Sequence, residues 1–174
     1  MEIKLFEEEI DDLVHLLTQN RWLYHTNSYL KEEAIRAAYA EGYYQNNRET
    51  HWILEDGDRV GVIFIHDIND TIPLFDLRLD ANYRGKGYGV KALHWLQEYL
   101  FAERKKIRIE GYTRVDNIGM RKCFSKAGFV KEGYLRNAWE NGDGTVTDSI
   151  VYGAIKDDWV VGKSTPIKID EVSF

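Results

Sequence analysis

The sequence predicts an α+β fold built around a mostly antiparallel sheet. Two strand-like stretches are joined by Asp56-Gly57, a dipeptide typical of two-residue hairpin turns. Farther along the chain, an amphipathic helix separates two other strand candidates, which is the connection that parallel neighbours need. Because 44% of the 174 residues are apolar, we expect a single domain over residues 1–174 with a sizeable core.

The first part of the chain is predicted to be mainly helical. A short strand over residues 2–6 is followed by a helix that begins near Ile10, where apolar positions recur on one helical face. An irregular stretch, residues 19–28, precedes a second helix over residues 31–44. Aromatic side chains in this region could line a substrate groove or belong to the core, and the sequence leaves both possibilities open.

Three strands are predicted next, over residues 51–55, 58–66 and 74–80. They follow one another without helical crossovers, so we expect them to be antiparallel. In the last of these strands the side chains alternate, with Phe75, Leu77 and Leu79 on one face and Asp76, Arg78 and Asp80 on the other.

A helix over residues 89–101 leads from strand 74–80 to a strand over residues 107–114. This crossover predicts that the two strands are parallel neighbours. If their neighbouring ends splay apart, they leave a V-shaped cleft in the sheet.

The C-terminal part is predicted to complete the sheet. Asp116 or Asn117 can cap the next helix, and two strands follow, over residues 130–139 and 145–155. The residues after Trp159 are polar, and we expect them to be peripheral.

A glycine-rich turn, Arg84-Gly85-Lys86-Gly87-Tyr88-Gly89, lies between strand 74–80 and helix 89–101. A helix start presents unpaired N–H groups and partial positive charge, and glycines let these groups approach an anion closely. The turn therefore indicates pyrophosphate binding, although such a turn can also simply join a strand to a helix. The order Gly-Lys-Gly excludes a Walker loop, and the glycine spacing does not fit the dinucleotide fingerprint.

Charge and cysteine content narrow the classes of function. The chain carries 23 basic and 29 acidic residues, a net charge of −6, which argues against binding to a nucleic-acid backbone. An acidic surface would suit an amine substrate, but it is also ordinary for a soluble protein. The single cysteine, Cys123, excludes an internal disulfide, favours a reducing compartment, and lies on an apolar helical stripe where packing is expected.

Neither a membrane span nor a metal site is predicted. No apolar run reaches membrane-spanning length and the N-terminus lacks a signal-peptide pattern, so we expect a cytoplasmic protein. The five histidines and the one cysteine show no spacing typical of metal ligands.

Several motifs together resemble the GNAT N-acetyltransferases. The turn that contains Arg84, Gly87 and Gly89, after a strand ending in Leu-Arg-Leu-Asp, is similar to the acyl-CoA pyrophosphate loop of that family. The similarity continues through residues 108–117 and 124–129, where a strand is followed by Asn and by a helix ending in Gly-Phe. Residues 132–136, 141–144 and 148–159 resemble the RimJ/RimL-like branch of the family.

This resemblance implies a GNAT-like mixed sheet that is mostly antiparallel, with a central parallel strand pair splayed into a V and helices on both faces. It also implies an acetyl-CoA-binding core over about residues 50–160, and a helical region, residues 1–48, that shapes the acceptor site. Acetyl-CoA would be the co-substrate, and no metal would be needed.

By the same resemblance, the backbone of strand 74–80 would hold the pantetheine arm, and the N–H of Leu77 would polarise the thioester carbonyl. Asn117 would contact the cofactor, cap its helix, or do both. The full set implied for acetyl-CoA is Leu77, Arg78, Leu79, Arg84, Gly85, Lys86, Gly87, Tyr88, Gly89, Val90, Asn117, Met120 and Phe124.

The acid that protonates the leaving thiolate is left open. Phe124 stands where many members of the family have a tyrosine for this step, and a phenyl ring has no proton to give. Solvent, or another hydroxyl such as that of Tyr88, Tyr112 or Ser149, would have to act instead.

The base that deprotonates the amine is also left open. The candidates are Asp76, Glu110 and Asp148, each of which could instead be a solvated strand residue or the partner of a nearby arginine. Three histidines rank lower as candidate bases, because lone histidines are more often structural. These are His25, His51 and His66.

The resulting hypothesis is an acetyl-CoA-dependent N-acetyltransferase acting by direct attack in a ternary complex, since no nucleophile elbow is present. The branch resemblance suggests a protein N-terminal amine as acceptor, whereas the acidic chain would also suit a small-molecule amine such as a polyamine or an amino sugar. The alternative, motivated by Phe124, is an acyl-CoA-binding regulatory module with little or no turnover. A monomer and a homodimer are both compatible with the family.

Overall fold

The computed structural model describes residues 1–168, which form one seven-stranded sheet with helices on both faces. No helix in this part of the chain is long and apolar enough to span a membrane. The elements, in chain order, are β1 (Glu2–Leu5), α1 (Ile10–Thr18), α2 (Glu32–Ala40), β2 (Arg48–Glu55), β3 (Asp58–His66), β4 (Leu74–Leu79), a 3-10 turn (Ala81–Tyr83), α3 (Tyr88–Glu98) continued by a π-helical turn (Tyr99–Glu103), β5 (Arg108–Arg114), α4 (Ile118–Lys126), β6 (Val130–Glu140), β7 (Val146–Ile155) and α5 (Lys156–Val161).

The strands lie in the order β1-β2-β3-β4-β5-β7-β6, and every neighbouring pair is antiparallel except β4 and β5. The predicted fold class and the predicted parallel pair are both confirmed. β4 and β5 share a single paired position, Leu74 with Glu110. Beyond it both strands continue without pairing to each other, so a gap opens between them within the sheet.

Alternation along the strands gives each face of the sheet its own core. On one face, Ile53 of β2 and Ile63 of β3 pack beneath α3 and α4, together with the predicted apolar side of β4. On the other face, Trp52 and Phe64 pack beneath α1 and α2. The polar side of β4 therefore faces the helical region at the start of the chain.

Some element bounds differ from the prediction for local reasons. α2 ends at Ala40, before residue 44, because Gly42 adopts a left-handed conformation with φ 75° and turns the chain. α5 has no counterpart among the predicted elements, and Trp159 anchors it by packing 5.8 Å from the Phe101 ring centre. In the tail after Trp159, which was predicted to be peripheral, residues 160–168 are exposed, and residues 169–174 lie outside the described residues.

Phe124 lies in the core between α4 and the sheet. Its side chain is 1% exposed, and its ring stacks on that of Tyr152 with 4.6 Å between centroids. The ring also covers Gly111 of β5, where a Cβ atom would come within 2.5 Å of it. The structure therefore corrects the implied cofactor contact of Phe124, because the space left by Gly111 draws the ring into the core.

A polar cluster is buried on the same face, next to α3. The His51 side chain is 5% exposed, and its ring lies 4.9 Å from that of Trp95. Burial lowers the pKa of His51 to about 4, because the charged ring would lose its hydration. His51 Nε2 lies 3.3 Å from Glu49 Oε2, but the Glu49 carboxylate is also engaged by Tyr99 and Arg104.

We expect Gly111→Ala to lower the free energy of unfolding by about 1–3 kcal/mol, because its methyl group cannot fit beneath the Phe124 ring. Phe124→Leu in the same chain should recover part of this loss by making room for the methyl group. Denaturant unfolding of the wild type, both single variants and the double variant measures the coupling. Strictly additive effects of the two substitutions would contradict this packing.

We also expect stability to fall as the pH drops from 6.5 towards 4, since the unfolded chain protonates His51 more readily than the folded chain does. The contribution of the neutral ring is complete above that interval and is lost through it, up to about 3 kcal/mol. His51→Gln should flatten the dependence of unfolding free energy on pH. An equally steep dependence in the variant would assign the loss to other groups.

Candidate active site

A cavity of about 440 Å³, here called the first cavity, occupies the gap where β4 and β5 part. Its walls are β4, the start of α3, one face of α4 and the segment 21–25 that follows α1. It is lined by Arg21, Trp22, Leu23, Tyr24, His25, Leu77, Arg78, Leu79, Arg84, Gly85, Gly87, Gly89, Val90, Asn117, Gly119, Met120, Lys122, Cys123 and Lys126.

The residues implied for acetyl-CoA all line the first cavity, with three exceptions. Phe124 is in the core. Lys86 is exposed, with its ammonium 5.4 Å from the centre of the Tyr83 ring. The Tyr88 ring packs 5.8 Å from that of Tyr83 and its hydroxyl is directed to Glu55, so Tyr88 can serve the cavity only through its backbone.

The backbone of β4 presents polar groups to the first cavity. Asp80 N–H donates to Val60 O on the β3 side at 2.9 Å, whereas Leu79 O accepts from Arg84 Nε at 2.9 Å. Because backbone groups alternate in direction along a strand, Leu77 N–H points away from β3, to the same side as Leu79 O. It therefore faces the gap, where it can donate to a carbonyl oxygen.

The glycine-rich turn forms one end of the first cavity and is suited to an anion. Gly85 and Gly87 have φ values of 74° and 92°, a region that glycine adopts without strain. The backbone bond from Lys91 N–H to Gly87 O is the first of α3, so the N–H groups of residues 88–90 precede the helical ladder. A Cβ atom at either glycine would meet no atom of the described residues within 4 Å, so the turn is open to a ligand.

The first cavity is basic although the protein is acidic. Five of its lining side chains are basic and, within the described residues, none is acidic. This arrangement concentrates positive potential at one site of a chain whose net charge is −6. Arg21, Lys122 and Lys126 are not in the predicted set, and the four-residue spacing of the two lysines along one helix was the available signal.

Arg84 connects the glycine-rich turn to the segment 21–25. Its guanidinium donates to Arg21 O at 3.3 Å and lies 5.2 Å from the centre of the Trp22 ring. The Trp22 indole N–H in turn donates to Leu17 O at 2.9 Å. Trp22 is both buried and part of the cavity wall, so the two roles left open for these aromatic residues coincide.

Asn117, and not Asp116, caps α4. Its Oδ1 accepts from Met120 N–H at 3.2 Å, and its Nδ2 donates to Thr113 Oγ1 at 3.0 Å. The side chain also lines the first cavity. Cys123 lies one turn farther along α4 and lines the same wall, where burial raises the pKa of its thiol and keeps it protonated.

A second cavity, of about 350 Å³, lies between α2 and the sheet and shares His25 and Arg78 with the first. It falls within the region predicted to shape the acceptor site. Its lining residues are Leu17, His25, Thr26, Asn27, Leu30, Ala34, Ile35, Ala38, Tyr43, Tyr44, Phe64, His66, Asp76, Arg78 and Trp139.

Asp76 is the candidate base that lies in a cavity, but both of its oxygens are engaged. Oδ1 lies 3.0 Å from His25 Nε2, and Oδ2 accepts from Arg78 Nε at 2.8 Å. Burial alone would raise the pKa of Asp76, but the Arg78 charge and the His25 hydrogen bond outweigh it and hold the pKa well below its usual range. A carboxylate this acidic is a poor proton acceptor near neutral pH.

Three buried polar atoms around the second cavity have no hydrogen-bond partner among the described residues. They are His25 Nδ1, Arg78 Nη1 and Trp139 Nε1. Buried polar groups are seldom left unsatisfied without a functional reason. Trp139 is absent from the predicted site, and the signal for it is weak: one half-buried aromatic residue on an otherwise exposed stretch of β6.

Glu110 and Asp148, the other candidate bases, lie outside both cavities. Glu110 accepts from Arg108 Nε at 2.8 Å and from the Tyr112 hydroxyl at 2.9 Å, and Asp148 accepts from the Tyr134 hydroxyl. These hydrogen bonds keep the pKa of both carboxyls below the usual range. Their positions fit the alternative role of partners for neighbouring side chains.

Comparison with known sequences identifies a family. The sequence model of the acetyltransferase (GNAT) domain matches residues 2–130. The probable N-acetyltransferase YjcK of Bacillus subtilis (strain 168) is 40% identical over 58 residues, which are 33% of this chain and 32% of that protein. The matched part thus spans about a third of the length of this curated relative.

Solved structures show the same fold. The spermidine N-acetyltransferase of Vibrio cholerae, crystallised with CoA and spermine, matches with a TM-score of 0.80 at 16% identity, over 91% of this chain and 97% of that one. A probable acetyltransferase matches with a TM-score of 0.73 at 24% identity, over 90% and 93% of the two chains. At these identities the likeness concerns the fold alone.

Proposed function

The chain belongs to the GNAT acetyltransferase family, whose members use acetyl-CoA as co-substrate, and we propose that it transfers the acetyl group of acetyl-CoA to a primary amine. The observation that carries this proposal is the junction of two cavities at His25 and Arg78. The first cavity, basic and edged by free backbone N–H groups, would hold the donor. The second cavity would hold the acceptor, so that the reaction takes place where they meet.

The first cavity has groups suited to each part of acetyl-CoA. The N–H groups of residues 88–90 would bind the pyrophosphate, with further charge from the basic side chains around the cavity. The exposed backbone edge of β4 would hold the pantetheine arm. Leu77 N–H would then donate to the thioester carbonyl oxygen, where negative charge develops during attack.

Acetyl transfer requires that the amine lose a proton before or during attack. The nitrogen bonds to the thioester carbonyl carbon, the carbon–sulfur bond breaks, and the thiolate leaves. We assign the proton acceptor to His25, because Asp76 receives the hydrogen bond of Nε2 and leaves the Nδ1 lone pair of the neutral ring without a partner.

The leaving thiolate must take up a proton. Ser149 is buried and its hydroxyl donates to Thr113 O, while Tyr88 and Tyr112 lie outside the first cavity. Tyr24 is the tyrosine among the described lining residues of that cavity. We therefore propose its hydroxyl as the acid, in place of the family tyrosine that Phe124 replaces.

The acceptor follows in part from the resemblance to the RimJ/RimL-like branch, which favours a protein N-terminal amine. A small-molecule amine is the other possibility, because the second cavity is of a size found in small-molecule sites. The position of His25 beside that cavity favours turnover over the alternative of a purely acyl-CoA-binding regulatory module.

We expect Gly87→Glu to abolish acetyl-CoA binding, because it would place bulk and negative charge where the pyrophosphate is proposed to bind. Isothermal calorimetry of acetyl-CoA with the wild type and the variant measures this. The matched control is Gly162→Glu at the end of α5, where φ is also positive, at 70°, and a Cβ atom also meets nothing within 4 Å. It introduces the same charge and backbone strain outside both cavities and should bind acetyl-CoA normally.

Equal binding by both variants would show that the turn does not hold the phosphates. Absence of binding to the folded wild type would overturn the proposed donor altogether. Tight binding with no release of thiol for any amine offered would instead support the regulatory module.

We expect His25→Gln to lower kcat about 10²-fold or more near neutral pH, because glutamine can still donate to Asp76 but cannot take up a proton. The loss should shrink as the pH rises, since more of the acceptor then arrives unprotonated. Affinity for acetyl-CoA should change little. Unaltered kcat and pH profile would exclude His25 as the base.

The His25→Gln variant leaves the other titratable side chains of the second cavity in place, so that a change in the pH profile can be attributed to His25. These side chains are Asp76, Arg78, His66, Tyr43 and Tyr44.

A further inference from the structure

Among the described residues, the second cavity presents no free negative charge. Asp76 is the acidic side chain among its described lining residues, and both of its oxygens are held by His25 and Arg78. The basic side chains that line the second cavity are Arg78, His25 and His66, and burial lowers the pKa of His66. A second ammonium group of a polyamine would therefore find no free carboxylate among the described lining residues to offset its loss of hydration.

The walls of the cavity are largely apolar. Aliphatic side chains come from α1 and α2, and aromatic rings come from Tyr44, Phe64 and Trp139. The Tyr44 and Phe64 rings lie 5.6 Å apart and form a continuous surface. Such walls favour a large aliphatic or aromatic group on the acceptor.

Two hydrogen-bond donors at the second cavity could each bind an oxygen atom of a ligand. Arg78 Nη1 and Trp139 Nε1 are buried, can only donate, and have no partner among the described residues. A buried donor without an acceptor is costly, so a ligand that supplies an oxygen atom there gains more than one that does not. Because Arg78 also lines the first cavity, that oxygen would sit close to the amine that is acetylated.

Resting on the proposed function, we infer that the acceptor is a monoamine of the α-amino acid type: a primary amine, a neighbouring carboxylate or carbonyl oxygen, and an apolar or aromatic side group. A free amino acid and the first residue of a peptide share this chemistry. Spermidine and other polyamines lack the oxygen and carry additional charge.

The test compares kcat/KM for phenylalanine, phenethylamine and spermidine at a fixed saturating concentration of acetyl-CoA. Phenethylamine keeps the amine and the ring but lacks the oxygen, so we expect it to be at least about tenfold poorer than phenylalanine. Spermidine should be about a hundredfold poorer or worse, because it has no aromatic ring to contact the cavity walls and carries additional positive charge. A short peptide beginning with phenylalanine distinguishes the two possible acceptors, a free amino acid with its carboxylate and the first residue of a peptide with its carbonyl oxygen.

Trp139→Phe provides the matched variant, because it removes the indole N–H and keeps an aromatic wall. It should lower kcat/KM for phenylalanine about tenfold and leave that for phenethylamine nearly unchanged. Preference for spermidine, or equal use of phenylalanine and phenethylamine, would overturn the inference while leaving the N-acetyltransferase assignment intact.

Absence of turnover with every amine would overturn the proposed function. The inference is then tested separately by calorimetric titration of phenylalanine and of spermidine into the protein saturated with CoA. Binding of phenylalanine alone would support the assigned chemistry of the cavity, and binding of spermidine alone or of neither would refute it.

Discussion

The parting of β4 from β5 is the constraint on which the rest of the structure depends. Two parallel strands that pair at one position and then diverge leave backbone N–H and C=O groups without ladder partners. A protein interior tolerates such groups only where water or a ligand can satisfy them. The gap therefore presents backbone groups that a ligand could satisfy, and the start of α3, the face of α4 and the segment 21–25 enclose it.

Electrostatics then distinguish the two cavities that meet at this gap. The first is lined by five basic side chains and, among the described residues, by no acidic one, so it is suited to a polyanion. In the second, the Asp76 carboxylate is cancelled by Arg78 and His25, and the remaining surface is mainly apolar. A single ion-paired group thus separates a basic environment from a mainly apolar one.

Those features that depend on local spacing could be predicted from the sequence. The helix between β4 and β5 predicted a parallel pair and Asp56-Gly57 predicted a hairpin, and both are present, whereas the anion site at the glycine-rich turn stays a prediction. Features that depend on distant contacts could not. Asp76 was a candidate base because its hydrogen bond with His25, which lies 51 positions away in the sequence, could not be foreseen. The burial of Phe124 likewise depends on the absence of a side chain at Gly111, which is distant in the sequence.

The segment 21–25 forms a wall of the first cavity, its last residue, His25, also lines the second, and the segment is fastened to the glycine-rich turn through Arg84. A ligand at the turn that accepts a hydrogen bond from the Arg84 guanidinium would compete with Arg21 O for it, and so affect the segment that carries His25. Thermodynamic linkage makes the effect reciprocal, so a donor that tightens acceptor binding must be tightened by the acceptor to the same degree. If donor and acceptor occupy the two cavities as proposed, each substrate would influence the affinity for the other through His25 and the segment that carries it.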